Sequence, residues 1–176
     1  MIRLLVRKVV EIIAVIILFS LQITLFKRLE IASVSPNLLI IIVATVGLLS
    51  GSREGMFIGF VSGLFIDMYF SSYLGVYALI FLFIGYVIGL FKQILIPTDI
   101  KLPLFLILLA DFMYNGFVYV FQYMFRGDFS FVYYLTNVVM PEMMYTIIVA
   151  LFVYPIYLKI SNSLDEYEKK GASKFG

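Results

Sequence analysis

A bundle of six transmembrane helices, all-α and with both termini in the cytoplasm, is the fold this sequence predicts, and three observations predict it. Of its 176 residues, 63% are apolar and only 14% charged, against roughly 45 to 50% and about 25% in soluble domains. Mean hydropathy is +1.07, so there is too little polar surface to cover an apolar ball, and lipid must be the solvent for most of the chain. The apolar residues fall into six runs separated by polar or breaker groups, and most of the basic residues fall on one side of the resulting bundle.

The first run, Val9 to Phe26, follows the basic start Arg3, Arg7 and Lys8. This has the form of a signal peptide, but the run meets Lys27-Arg28 with no small-residue cleavage site, so a retained span is expected. In the second, Pro36 to Ser50, Ser35 reads as an N-cap with Pro36 at the first helical position. Gly51-Ser52-Arg53-Glu54 then reads as a tight hairpin, with a glycine ending one helix and Ser52 capping the next. The third run covers Gly55 to Phe70, and Ser71-Ser72 separate it from the fourth, Tyr73 to Phe91. Lys92 to Lys101 lead to the fifth, Leu102 to Phe125, and Arg126-Gly127-Asp128 precede the sixth, Thr136 to Leu158. At ~1.5 Å per residue the second and third are short for a hydrocarbon core about 30 Å thick. Barrel strands would alternate polar with apolar over ~9 to 11 residues, and these runs are longer and apolar on every side. Residues 1–160 are thus the transmembrane domain and 161–176 a polar cytoplasmic tail whose start can prolong the last helix.

With alternating helices, ten of the thirteen basic residues lie on the cytoplasmic side, and only Lys27, Arg28 and Arg126 lie outside. This bias follows the positive-inside rule. The chain has no Trp, and tyrosines near the predicted ends, such as Tyr69, Tyr73, Tyr123, Tyr133 and Tyr154, supply the interfacial belt.

Composition also excludes chemistry. With no Cys and no His, the chain cannot build thiolate or imidazole metal sites, a Ser-His or Cys nucleophile, or a disulfide framework. A net charge of +2 is too balanced for nucleic-acid binding. Neither a long internal repeat nor a glycine-rich phosphate loop is present. No cofactor and no metal are expected.

Two features carry the functional reading. Gly55, Gly59 and Gly63 recur every fourth residue on one helix face, and Gly85 and Gly89 repeat the motif in the next helix. Small-xxx-small faces let backbones approach closely in lipid, serving either packing inside the bundle or contact with another protein. The second feature is a set of embedded polar groups, Asp67, Asp111, Asn115 and Glu142, which form a candidate polar intramembrane face. Asp67 lies about 18 Å into its helix, and Asp111 and Asn115 share a face at i, i+4 spacing. No Lys or Arg lies at comparable depth, and an ionised carboxylate there costs roughly 2.5 to 3.5 kcal/mol. Four arrangements answer that cost: protonated carboxyls bonded to backbone or Tyr, a hydrated cavity, a bound cation or amine, or a basic group from a partner. The contexts Ile66-Asp67 and Ala110-Asp111 lack intramembrane aspartyl protease motifs, so no catalytic residues are assigned and an enzyme is not expected.

In order and spacing, Ser35-Pro36-Asn37-Leu38-Leu39, Gly47-Leu48-Leu49-Ser50-Gly51, Gly55-x-x-x-Gly59-Phe60-x-x-Gly63-Leu64-x-x-Asp67, and Leu74-Gly75-x-Tyr77-Ala78-Leu79 with Gly85-Tyr86 resemble the bacterial rod-shape-determining MreD family. The motifs cover about Pro36 to Gly89, with Pro36, Asn37 and Gly75 among the matching positions. Asn37 departs from the family, where an acidic residue often follows the proline. Asp111, Asn115 and Glu142 inherit no role from it. The resemblance implies a non-enzymatic scaffold of the cell-elongation (rod) complex in the bacterial inner membrane, supporting peptidoglycan synthesis. It also implies binding to an MreC-like single-span protein and, through it, to MreB, RodA and a class B penicillin-binding transpeptidase. A further implication is a fold similar to the substrate-capture subunits of energy-coupling-factor transporters. Small-solute or vitamin capture is therefore the alternative function, weakened because Ala14 is followed four residues on by Leu18, with no Ala-x-x-x-Ala docking face.

Overall fold

The structure is a computed structural model and describes residues 2–29, 34–70, 74–94, 100–123 and 131–172. Side chains are described from Val6 to Glu166, leaving out those of 94, 122 and 123. The separators Ser71-Ser72 and Arg126-Gly127-Asp128, and the belt residue Tyr73, lie outside the described residues, as does the side chain of Tyr123.

The described chain is all-helical, with no β-strand. Helix α1 (Ile2–Leu21) continues through a π-helical turn, Gln22–Phe26, and α2 (Leu38–Ser50) is followed almost at once by α3 (Ser52–Phe70). Helix α4 (Val76–Leu90) ends in a 3₁₀ turn, Phe91–Ile94, and α5 (Lys101–Val118) in a π turn, Tyr119–Tyr123. The last rod comprises α6 (Phe131–Tyr134), a π turn at Leu135–Val139 and α7 (Met140–Ala172). Four stretches are long and apolar enough to cross a membrane: Val6–Phe26, Val76–Gln93, Lys101–Phe121 and Phe131–Glu166. Together they make this a multi-pass membrane protein.

Several boundaries differ from the sequence expectation. Helix α2 starts at Leu38, and its cap is Asn37 rather than Ser35. The Asn37 Oδ1 accepts the Ile40 N–H at 3.2 Å, satisfying one of the orphan donors of the first turn, so Pro36 sits ahead of the cap instead of at the first helical position. The last helix begins before Thr136 and persists through the polar segment to Ala172. Its π turn lies just before Pro141, which has no N–H for the Asn137 carbonyl and crowds it with its ring, widening the backbone there. The glycine ending α2 is as expected: Gly51 adopts φ +103° and its N–H bonds to the Gly47 carbonyl at 2.8 Å.

Helix α2 is the axle of the bundle. Leu38 through Leu48 are all buried, and the helix touches α1, α3, α4, α5 and α7. A helix apolar on all sides has no solvated face to present and is stable only when surrounded. Pairwise contacts fix alternating directions. The C-terminal end of α2 and that of α7 meet the start of α1 at one end, here called proximal, while Asn37, Asp67 and Gly75 lie at the other, distal end.

An ion cluster ties the proximal end. Arg7 donates to Glu11 Oε1 at 3.3 Å, to Asp165 Oδ1 at 2.8 Å, to Ser50 Oγ at 2.8 Å and to Ser161 Oγ at 3.3 Å, joining α1, α2 and α7. Beside it Lys8 bonds Glu54 of α3 at 2.8 Å and lies over the Phe57 ring at 4.3 Å. Glu11 is 0% exposed, so removing its cation strands a buried charge. Arg7→Ala is expected to cost about 3 to 5 kcal/mol, read as a lowered melting temperature in detergent. Arg7→Ala/Glu11→Gln should recover at least half of that loss, because the stranded charge is gone; no recovery would show that packing of the Arg7 stem matters more.

Candidate functional site

The glycine faces meet each other. Along the α3–α4 seam, a Cβ placed on Gly59 would overlap the Phe81 carbonyl, one on Gly63 the backbone of Tyr77 and Ala78, and one on Gly85 the Gly55 carbonyl. Gly89 in turn abuts the backbone of Ser52. Of the two uses open to these glycines, packing inside the bundle is the one realised: they allow two backbones to touch where no hydrophobic force drives helices together. A partner-binding surface must be sought elsewhere.

Asp67 follows Gly63 on the same helix face and reaches the N-terminus of α4. Its carboxylate accepts N–H bonds from Gly75 at 3.0 Å, Tyr77 at 3.1 Å and Ala78 at 2.9 Å. Three donors and the positive end of a helix dipole satisfy a buried anion without a cation. Gly75 makes the geometry possible, since it occupies the N-cap position with φ +105°, a conformation that other residues adopt only at a cost. Asp67 is thereby separated from the other three residues of the predicted polar face.

Those three do converge. Asn115 sits one turn beyond Asp111 on α5, donates from Nδ2 to the Asp111 carbonyl at 3.1 Å, and accepts the Tyr134 hydroxyl at 3.1 Å. Glu142, delivered by the π turn and Pro141, faces Asp111, with the side chains of Asn115 and Asn37 as its hydrogen-bond partners. Asn37 also donates its N–H to Thr146 Oγ1 at 3.1 Å. Asp111 is 0% exposed; the Thr146 hydroxyl lies beside it, but neither carboxylate oxygen is held in a well-formed hydrogen bond.

Sequence reasoning found Asp111, Asn115 and Glu142 but missed Thr146 and Tyr134. The i, i+4 spacing from Glu142 to Thr146 was the available signal for the first; nothing local marked the second.

Among the described residues no group of three or more His, Cys, Asp or Glu could hold a metal. A hollow of about 30 Å³ lies beside the cluster, lined by Asn115, Tyr134, Phe112, Tyr119 and their neighbours. A larger one, about 340 Å³, is bounded by Val76, Leu79, Ile80, Phe83, Phe117 and Phe121 of α4, α5 and the turn after it, all of them apolar.

Comparison with family models matches residues 2–163 to rod shape-determining protein MreD. Neither the curated proteins nor the solved structures contain a match.

Proposed function

Since the chain belongs to the MreD family of rod shape-determining proteins, whose members are structural membrane proteins rather than known enzymes, we propose that it is a scaffold of the cell-elongation complex. In this reading it lies in the bacterial inner membrane, crosses six times with both ends cytoplasmic, and binds an MreC-like single-span protein. RodA, a class B penicillin-binding transpeptidase and MreB are reached through that partner, and the assembly supports peptidoglycan synthesis. The observation that carries the reading is the family match across almost the whole chain.

The surface left for a partner is apolar and helical. Val6, Val9, Ile13, Ile17, Leu21 and Leu25 of α1 and its π turn are exposed along one side, while the glycine faces are consumed inside the bundle. A single-span helix lying on such a stripe would gain van der Waals contact with no polar group to satisfy.

The experiment is affinity purification of the tagged chain from its own host in mild detergent, followed by mass spectrometry. Stoichiometric recovery of an MreC-like protein is expected; recovery of transporter ATPases in its place would overturn the scaffold. Vitamin capture is the weaker reading because the two hollows described above do not suit it. The hollow beside Asn115 holds about 30 Å³, far under the ~300 to 1,000 Å³ of small-molecule sites, and the 340 Å³ hollow offers a vitamin almost no polar contacts.

A further inference from the structure

Asp111 is the least well satisfied buried carboxylate of the distal end. Asp67 has three backbone N–H groups and Glu142 has two amide side chains, but Asp111, at 0% exposure, has only the Thr146 hydroxyl beside it, and neither of its oxygens is held in a well-formed hydrogen bond. Nor does any Lys or Arg among the described residues pair with Asp111 or Glu142, the ion pairs there being Arg7–Glu11, Arg7–Asp165 and Lys8–Glu54. Tyr114 of α5 lies next to the pair, with Tyr77 of α4 and Tyr134 of α6 beside it, and none of these is positive. Two facing carboxylates in so dry a place cannot both stay ionised without a compensating charge.

We infer that Asp111 and Glu142 form a site for one small hard monocation, in which an alkali ion and a proton compete. The donors are all oxygen: the two Asp111 oxygens, Glu142, and the Asn115 Oδ1 and Thr146 Oγ1, each of which keeps a lone pair after accepting the bond from Tyr134 or from the Asn37 N–H. Oxygen-only sets select hard cations over transition metals. Calcium takes about six to eight oxygens and magnesium keeps several waters, neither of which fits so enclosed a set, leaving a monocation with the second carboxyl protonated. The hollow of about 30 Å³ bordered by Asn115 and Tyr134 is lined by neither carboxylate, so the ion sits between the carboxylates themselves. Asp111 is fully enclosed, whereas Glu142 is only partly covered, which makes Glu142 the entry side.

The test is thermal unfolding of the purified full chain in detergent, titrating sodium against choline at constant ionic strength in alkaline and in mildly acidic buffer. Sodium is expected to raise the melting temperature saturably in alkaline buffer and to lose that effect in acid, where protons take the site. Stabilisation by acid alone, with no sodium response, assigns the site to the proton. In either case Asp111→Asn should abolish the dependence, and Glu142→Gln should carry the same test if Asp111→Asn does not fold. A wild-type protein indifferent to both sodium and acid, or variants that keep the wild-type dependence, would overturn the inference.

Discussion

Gly59→Leu is expected to leave almost no folded protein. The Cβ alone meets the Phe81 carbonyl and the Leu82 amide, and backbone cannot rotate aside as a side chain does. The helices must separate along the whole α3–α4 seam, so the cost exceeds the ~1 to 3 kcal/mol usual for overpacking. Against a total stability of about 5 to 15 kcal/mol that is decisive. Gly63→Leu and Gly85→Leu should behave alike, while Gly116→Ala, which meets nothing within 4 Å, should melt within a degree or two of wild type. Melting temperature and gel-filtration profile in detergent check the series. A Gly59→Leu protein that elutes and melts normally would mean that the two backbones are not in contact there.

Asp67→Ala carries the second-largest effect. Removing the carboxylate orphans the N–H groups of Gly75, Tyr77 and Ala78, and each unsatisfied buried donor costs ~1 to 3 kcal/mol. Some relaxation is available to Gly75, so a total of about 3 to 5 kcal/mol is expected. Asp67→Asn keeps one acceptor oxygen and should fall between the two. Cells carrying the Asn variant should retain rod shape in proportion to the folded protein remaining, as measured by immunoblot against cell width. Loss of shape at wild-type abundance would assign Asp67 a role beyond capping α4.

Much of this was legible in the sequence because it depends on local periodicity. The four-residue spacing of Gly55, Gly59 and Gly63 determines a helix face whatever the partner, and Asp67, four residues further, shares it. What spacing cannot specify is which groups complete a site. Asp67 belongs to a helix terminus whose donors lie in the next element, so grouping it with Asp111 by residue type alone was misleading. The same limit applied at Pro36: proline's fit to the first helical position favoured Ser35 as the cap, but Asn37 offers an oxygen to Ile40 and an N–H to Thr146, a residue 109 positions away. Arg7 was legible as a basic flank and not as a pairing centre, since Asp165 is 158 positions away. Glu11 could be placed near a helix end, but its burial depends on α2 and α7 closing over it.

That separation orders the assembly of the molecule in time. A chain emerging into a membrane delivers α1 first, yet two of the groups that dock its Arg7 are Ser161 and Asp165, near the far end of the last helix. Arg7 can meet Glu11 and then Ser50 before those two are available, and the span Val6–Phe26 is just 11% buried even when assembly is complete. Of the contacts α1 makes, those to the last helix are therefore the last to form. Helices α2 to α5 can gather around the α2 axle with α1 held to α3 by the Lys8–Glu54 pair and the Phe19–Phe65 contact, and synthesis of the last helix closes the Arg7 cluster.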